Sequence, residues 1–323
     1  MIDIKGFISN TCIEHDDVVA VYSMVTAPCL DEYICTDALR RNLIEYISTN
    51  YSGVVRDARY DAYVETEIKK QLIITVPIVD HCNLACTNCY HISSMAEPYT
   101  ADEFDILNDI GLISALFKNT IYKYCLDITG GDPLLHPELA KILQNLPKRN
   151  PNESRSLTTN ALAFPSLSDE TIEAMKSISV NVSDYGINHA AVEKTKQICM
   201  DNSIMLTVNY RNMFEVARFS QCGGTGSINR VDCNVDRRCI CSVVRNGKFY
   251  PCAENFHVGK LKSGLPGFYV DLDQIETAGQ AILLMVLQQP LCRHCLVKER
   301  HVVRWTNGQN SLDTYLDKHI KMK

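Results

Sequence analysis

Between about residues 71 and 210, short apolar runs alternate with longer stretches whose apolar positions recur at helical spacing. That alternation is the signature of repeated βα units around a parallel sheet. It predicts strands at "QLIITVPIV" (71–79), "YKYCLDIT" (122–129), "SRSLTTN" (154–160), "SISVNVS" (177–183) and "SIMLTVNY" (203–210), with "GSINRVD" (226–232) as a weaker sixth. The intervening "TADEFDILNDIGLISALFKN", "HPELAKILQNLPK", "SDETIEAMK" and "NHAAVEKTKQICMDN" each bring a capping residue or an acidic first turn before their apolar positions, and predict crossover helices. Right-handed crossovers curl such a sheet toward a barrel, and five or six units give an incomplete one. The fold class is therefore α/β, a partial (β/α)6 TIM-like barrel over residues 71–221 with active-site groups at the C-terminal ends of its strands. Residues 1–70 lack the rhythm and predict a small, mainly helical cap. Residues 222–323 are expected to form a separate layer at the barrel's end.

Composition narrows the function. The chain has 323 residues, 46% hydrophobic and 22% charged, enough for one large domain with appendages. Its formal net charge is −6 and no Lys/Arg-rich block stands ready to neutralise phosphates, so nucleic acid is not a favoured partner. The apolar run "AILLMVL" (281–287) is too short to cross a bilayer, and "MIDIKGFISN" lacks the features of a secretory signal, so no membrane and a cytoplasmic location are expected. Fifteen cysteines are far too many for casual packing, and in a reducing compartment they read as ligands rather than disulfides. Cys82, Cys86 and Cys89 form one group, and Cys222, Cys233, Cys239, Cys241, Cys252, Cys292 and Cys295 crowd the last third. Two metal sites follow.

The first group lies in "VDHCNLACTNCYHISS" (79–94), directly after the first predicted strand. Tetrahedral zinc and ordinary [4Fe–4S] clusters take four protein ligands, whereas C-x3-C-x2-C supplies three and leaves one corner open. This spacing at this place resembles the radical S-adenosylmethionine (radical SAM) enzymes. The resemblance implies that the open iron binds S-adenosylmethionine (SAM), that a flavodoxin- or ferredoxin-type donor supplies an electron, and that the resulting 5′-deoxyadenosyl radical abstracts a substrate hydrogen. "DITGGDPLLHPEL" resembles the family's G-G-E-P segment at Gly130, Gly131, Asp132 and Pro133, which implies contact with the SAM amino group, with Asp132 in place of glutamate. "TTNA" resembles T-N-G and nominates Thr159 and Asn160. "VSDYG" resembles a polar stretch near the SAM ribose and carboxylate and nominates Ser183 and Asp184. Asn88 stands where the family often has an aromatic to pack on adenine, and Tyr90 follows two residues later. The competing chemistry, a zinc knuckle with His81 or His91 as fourth ligand, would not require a Gly-Gly-acid-Pro turn one βα unit later.

The second group includes "RRCICSVVRNGKFYPCAENFHVGK", where Asn246-Gly247 is a strong hairpin signal. A two-residue turn there sets Arg245 opposite Lys248, Val243 opposite Tyr250 and Cys241 opposite Cys252. "LCRHCL" adds Cys292 and Cys295. The arrangement resembles the twitch extension of radical SAM enzymes, a shortened SPASM domain. That resemblance implies a hairpin/helix domain with one auxiliary [4Fe–4S] cluster on Cys241, Cys252, Cys292 and Cys295, Cys239 or Cys233 competing with Cys241; four cysteines also suit zinc. The surplus Cys222, Cys233 and Cys239 are candidate hydrogen-atom donors. The family implies a carbohydrate- or nucleoside-like substrate ending in epimerisation or dehydrogenation, a ribosomally made peptide, or sulfur insertion from the auxiliary cluster. A non-catalytic iron–sulfur or zinc scaffold is the alternative.

Overall fold

The strands and helices predicted between residues 71 and 210 all form. In the computed structural model, which describes residues 71–118, 123–215, 219–220, 239–261, 263–286, 289–296, 302–308 and 310–317, the barrel strands are β1 (Gln71–Val79), β2 (Tyr124–Gly130), β3 (Glu153–Thr159), β4 (Ser179–Asp184) and β5 (Leu206–Tyr210). They pair in sequence order, each parallel to the next. The crossovers are α1 (Glu103–Leu116), α2 (Leu139–Gln144), α3 (Asp169–Met175) and α4 (His189–Asp201). α1 begins where the Asp102 carboxylate accepts the Phe104 N–H at 2.8 Å, an N-cap that satisfies one of the helix's orphan donors. Its Ile106, Ile110 and Ile113, with Phe117 just beyond, share one face and pack in the same buried cluster as Leu72, Ile74, Val76 and Ile78 of β1. The predicted cap, the sixth strand at 226–232, Cys222 and Cys233 lie outside the described residues.

Past β5 the rhythm ends. There follow β6 (Met213–Glu215), β7 (Phe219–Ser220), β8 (Cys239–Arg245), β9 (Lys248–Tyr250), α5 (Ala253–Lys260), β10 (Val270–Asp271), α6 (Ala278–Val286), β11 (Val302–Arg304), α7 (Leu312–Tyr315) and β12 (Leu316–Asp317). β8 and β9 form the predicted hairpin, with Arg245 opposite Lys248 and Val243 opposite Tyr250.

Two expectations need correction. The hairpin is not a separate layer: β8 runs parallel to β1, with Ile73 beside Cys241, and the single large sheet has the order β10-β9-β8-β1-β2-β3-β4-β5. The pairing also stops at Tyr250, so Cys241 and Cys252 are not a cross-strand pair. Pro251 has no N–H to offer a ladder, and Cys252 instead becomes the N-cap residue of α5. The last strands make two small sheets of their own, β11 pairing with β6 and β12 with β7. Among the described residues, no helix is long and apolar enough to cross a membrane.

Candidate active site at the strand ends

The loop carrying Cys82, Cys86 and Cys89 leaves β1 where β2 closes on it. The Gly131 N–H donates to the Val79 carbonyl at 2.9 Å and the Asp132 N–H to the His81 carbonyl at 3.1 Å. A Cβ at Gly130, whose φ is +149°, would lie 2.1 Å from the Val79 oxygen, and one at Gly131 would lie 2.0 Å from the His81 oxygen. The two glycines therefore let one backbone lie against another. The close approach they serve here is to the base of the cysteine loop, where the sequence reading had them approach a ligand. Pro133 then opens a short 3-10 turn, Pro133–Leu135, capped by Asp132.

Asp132 is fully buried. Its carboxylate accepts from the Thr159 hydroxyl at 2.9 Å, the Asn160 N–H at 2.9 Å and the Leu134 N–H at 3.0 Å. Burial pushes its pKa up to about 6 against the pull of those donors. The Asp132 carboxylate and the Thr159 hydroxyl thus tie the ends of β2 and β3 to each other. The Asn160 amide goes further, donating to Asn83 Oδ1 at 2.7 Å and lying 3.4 Å from Cys82 Sγ. Ala161 follows with φ +64°, a left-handed conformation that explains glycine in the T-N-G pattern and costs a non-glycine residue about 1 kcal/mol.

At the end of β4, the Asn188 amide donates to the carbonyls of Asn160 at 2.6 Å and Ser183 at 2.8 Å. Asp184 accepts from His189 Nδ1 and from the Gly186 N–H, both at 2.8 Å. Burial raises the Asp184 pKa, but His189 and Gly186 outweigh it and the net shift is downward. Tyr185 stacks on Trp305, with centroids 5.2 Å apart, and on Phe214 at 5.8 Å. Burial first, and then the negative charge Cys86 would carry, raise the Tyr185 phenol above its ordinary range.

Burial also pushes the Cys82 thiol up to about 12; the Leu84 N–H opposes this, while Asp132, Cys89 and Cys86 add to it. Cys86 is pushed up to about 11 by burial, with the Trp305 side chain opposing and Cys89 adding. Ligation of a metal by Cys82 and Cys86 would therefore release a proton from each thiol. Among the described residues, no three His, Cys, Asp or Glu side chains form a group able to hold a single metal ion. A single zinc draws its thiolates to about 2.3 Å of one point, whereas each thiolate of a cubane takes a different iron. The donor set is the one a cluster with an open iron takes: three thiols in one loop, with the Leu84 N–H and the Asn160 amide aimed at Cys82 Sγ, each at 3.4 Å.

Behind the loop, Asp80 Oδ1 accepts from Arg245 Nη1 and from Lys260 Nζ, both at 2.8 Å. Lys260 also donates to the His91 carbonyl at 3.1 Å, and Arg245 lies 3.9 Å over the Tyr99 ring. Burial would raise the Asp80 pKa, but Arg245 and Lys260 hold it below the usual carboxylate value. This cluster ties the base of the cysteine loop to β8 and α5. Asp80→Ala leaves two cations without their carboxylate and is expected to cost about 3 kcal/mol in urea unfolding, while Asp80→Asn, which retains an acceptor, is expected to cost less.

Tyr90 packs on His257, with ring centroids 4.6 Å apart, and joins the cluster of Cys241, Val243, Tyr250, Ala253 and Phe256. It therefore faces β8 and α5. Among the auxiliary candidates, Cys252 caps α5; Asn255, one turn on, bonds the side chain of Gln289, whose N–H meets Cys292 Sγ at 3.3 Å. Cys295 lies in a buried apolar cluster with Ile92, Val258, Leu261 and Tyr315. The four candidates thus surround α5, and no described cysteine is in a disulfide. Cys239 opens β8 opposite Gln71; its side chain, like Cys222 and Cys233, is outside the described residues.

Sequence reasoning missed the strip from Trp305 to Tyr315, which backs the cysteine loop along its length. Thr87 N–H donates to the Thr306 carbonyl at 2.9 Å and Gly308 N–H to the Ala85 carbonyl at 2.7 Å, and Cys86 and Asn307 form an antiparallel bridge. Asn307 Oδ1 accepts from Ala85 N–H and Asn310 Oδ1 from Asn88 N–H, each at 2.9 Å. Asn310 Nδ2 donates to the Cys86 carbonyl at 2.8 Å, and the Tyr315 hydroxyl to the Cys89 carbonyl at 3.1 Å. The available signal was "WTNGQNS", whose amide side chains suit the satisfaction of loop backbone.

Residues 76–206 match the family described as the Radical SAM superfamily, which implies a [4Fe–4S] cluster and SAM. A curated relative, the GTP 3′,8-cyclase of Streptomyces coelicolor, is 33% identical over 96 residues, which cover 28% of this chain and 26% of the relative. The match thus spans about a quarter of that relative's length. Among solved structures, BtrN in complex with AdoMet and 2-DOIA aligns over 71% of this chain and 94% of its own at 13% identity, with a TM-score of 0.44. Native anSMEcpe with bound AdoMet aligns over 43% of each chain at 16% identity, with a TM-score of 0.33.

Proposed function

We propose that this chain, which belongs through residues 76–206 to the radical SAM superfamily, reductively cleaves SAM and abstracts a hydrogen atom from a carbohydrate- or nucleoside-like small molecule, ending in epimerisation or dehydrogenation. The observation that carries the reading is the meeting, at the ends of β1, β2 and β3, of a three-thiol loop, a glycine pair packed against its base and an amide aimed at Cys82. When bound, the cluster and SAM supply a 5′-deoxyadenosyl radical. The chain's own residues then divide the work. Cys82, Cys86 and Cys89 hold the cluster, the Gly130–Pro133 turn and Asn160 fix the loop that carries them, and Ser183 and Asp184 line the SAM side of the mouth. A curated relative named for its action on GTP supports a nucleoside-like substrate.

In the same reading Cys241, Cys252, Cys292 and Cys295 hold an auxiliary cluster, supported by their disposition around α5. In a dehydrogenation the substrate radical would release a proton and pass its electron to that cluster. In an epimerisation, Cys222, Cys233 or Cys239 would return a hydrogen atom, and the thiyl radical left behind would be restored by one proton and one electron from the flavodoxin- or ferredoxin-type donor.

The anaerobically reconstituted chain, given SAM and dithionite, is expected to form 5′-deoxyadenosine; no 5′-deoxyadenosine would leave only a scaffold. With candidate sugars and nucleosides in D2O, one deuterium in the product marks epimerisation and a loss of two mass units marks dehydrogenation. Turnover of peptides alone would overturn the small-molecule assignment.

A further inference from the structure

We propose that Asp127, with Ser156 and Thr158, forms a subsite inside the barrel that binds a protonated amine, so that the substrate is an amino-bearing, polyhydroxylated small molecule such as an amino sugar. The inference deepens the carbohydrate-like reading of the same site and rests on it. Leu126 and Ile128 of β2, Leu157 of β3 and Val180 and Val182 of β4 are buried in the core that the helices share. Side chains alternate between faces along a strand, so Asp127, Ser156, Thr158 and Asn181 face the other way, into the barrel. Strand register sets them side by side: Thr75 lies beside Asp127, Asp127 beside Ser156, and Thr158 beside Asn181. The Asp127 carboxylate accepts from the Ser156 hydroxyl at 2.6 Å and from the Thr158 hydroxyl at 2.9 Å.

Two observations point this group at a ligand. Thr75, Asp127, Thr158 and Asn181 are only half-buried, although their strand neighbours Leu126, Ile128, Leu157 and Val180 are covered almost completely. The polar face is therefore reached from within the barrel. Among the described residues, moreover, the Asp127 carboxylate is held by the two hydroxyls and by no cation. Burial pushes its pKa up to about 6 against the pull of those hydroxyls. Charges this deep are normally paired, as Asp80 is with Arg245 and Lys260. A neutral sugar would bring only further hydroxyls. An ammonium brings the opposite charge, at a depth where Coulomb attraction is stronger than in water. Thr75 and Asn181 alongside can donate to and accept from hydroxyls. Asp127 stands three residues before Gly130 on β2, about 10 Å at the rise of a parallel strand. A small polyhydroxylated molecule can span that distance to the strand ends, where the cysteine loop begins.

The test is calorimetric titration of the reconstituted protein with SAM present, at neutral pH. The probes are glucosamine, galactosamine and mannosamine, each against its neutral parent sugar and its N-acetyl form, with Nα-acetyl-lysine amide as an amine that lacks the hydroxyls. At least one amino sugar is expected to bind about tenfold or more tighter than both of its neutral counterparts. Asp127→Asn, which keeps the shape and removes the charge, is expected to lose that preference. Wild-type protein that forms 5′-deoxyadenosine from SAM yet prefers no amino sugar overturns this inference alone, whether or not the variant folds. A preference that survives in Asp127→Asn overturns it too, because the amine then binds elsewhere. Tighter binding of acetyl-lysine amide than of every amino sugar would assign the subsite to a peptide side chain and overturn the substrate class. No 5′-deoxyadenosine from the wild-type protein would overturn the SAM-cleavage reading itself and the substrate assignment with it.

Discussion

Gly131→Ala is expected to lower stability by about 3–5 kcal/mol and to prevent iron loading at the three-cysteine loop. The added Cβ would stand 2.0 Å from the His81 oxygen, 2.3 Å from its carbonyl carbon and 2.8 Å from the Asp80 oxygen. All three are backbone atoms, so no side chain can swing aside. The base of the loop must retreat from β2, breaking the Gly131–Val79 and Asp132–His81 hydrogen bonds. With Asp132 displaced, its bonds to Thr159 and to the Asn160 N–H misalign, and the Asn160 amide no longer meets Cys82. Gly186→Ala is the control. Its φ of +82° also disfavours alanine, yet a Cβ there meets nothing within 4 Å, so the expected cost is only the left-handed backbone, about 1–2 kcal/mol. Urea midpoints and iron per chain read both outcomes. Wild-type values for Gly131→Ala would mean that packing of β2 on the loop does not position the cysteines.

The parts of the molecule legible in the sequence are those whose determinants are local. The alternation that marks β1 to β5 and their helices depends on residues two to four apart, and every one of those elements is present. The Asn246-Gly247 turn set the hairpin register over its first pairs for the same reason. Its extension to Cys252 failed on one residue, Pro251, which ends the ladder and leaves Cys252 to cap α5. The position of β8 beside β1 was not legible, because a parallel neighbour more than 160 residues away leaves no periodic trace in either strand. Gly130 and Gly131 stood out, but the reason for them required coordinates: the atoms they make room for are the Val79 and His81 carbonyls. The strip from Trp305 to Tyr315 is the clearest case. Asn307 and Asn310 bond residues 222 positions earlier, and an amide in a polar stretch looks the same whether it faces water or a distant loop.

The triple variant Cys82→Ala/Cys86→Ala/Cys89→Ala is expected to lose 5′-deoxyadenosine formation entirely while keeping the auxiliary cluster. After anaerobic reconstitution, two clusters predict about eight irons in the native protein and about four in the variant, with acid-labile sulfide falling in step. The variant is expected to fold. Leu84, Cys86 and Ile92 are the buried apolar positions of this loop, and two of them are untouched. The bonds from Asn307, Asn310 and Tyr315 go to loop backbone and survive the loss of sulfur. The remaining four irons require Cys241, Cys252, Cys292 and Cys295 to converge beside α5, Cys295 from the end where Val258 and Leu261 lie. Cys252 and Cys292 are already linked there through Asn255 and Gln289. Cys295 stands with Ile92, three residues after Cys89, in one apolar cluster. A native count of about four irons falling to none would leave the C-terminal thiols to zinc or to packing. Dehydrogenation through an auxiliary electron acceptor would then lose its support, and the substrate radical would have to be quenched by a returned hydrogen atom.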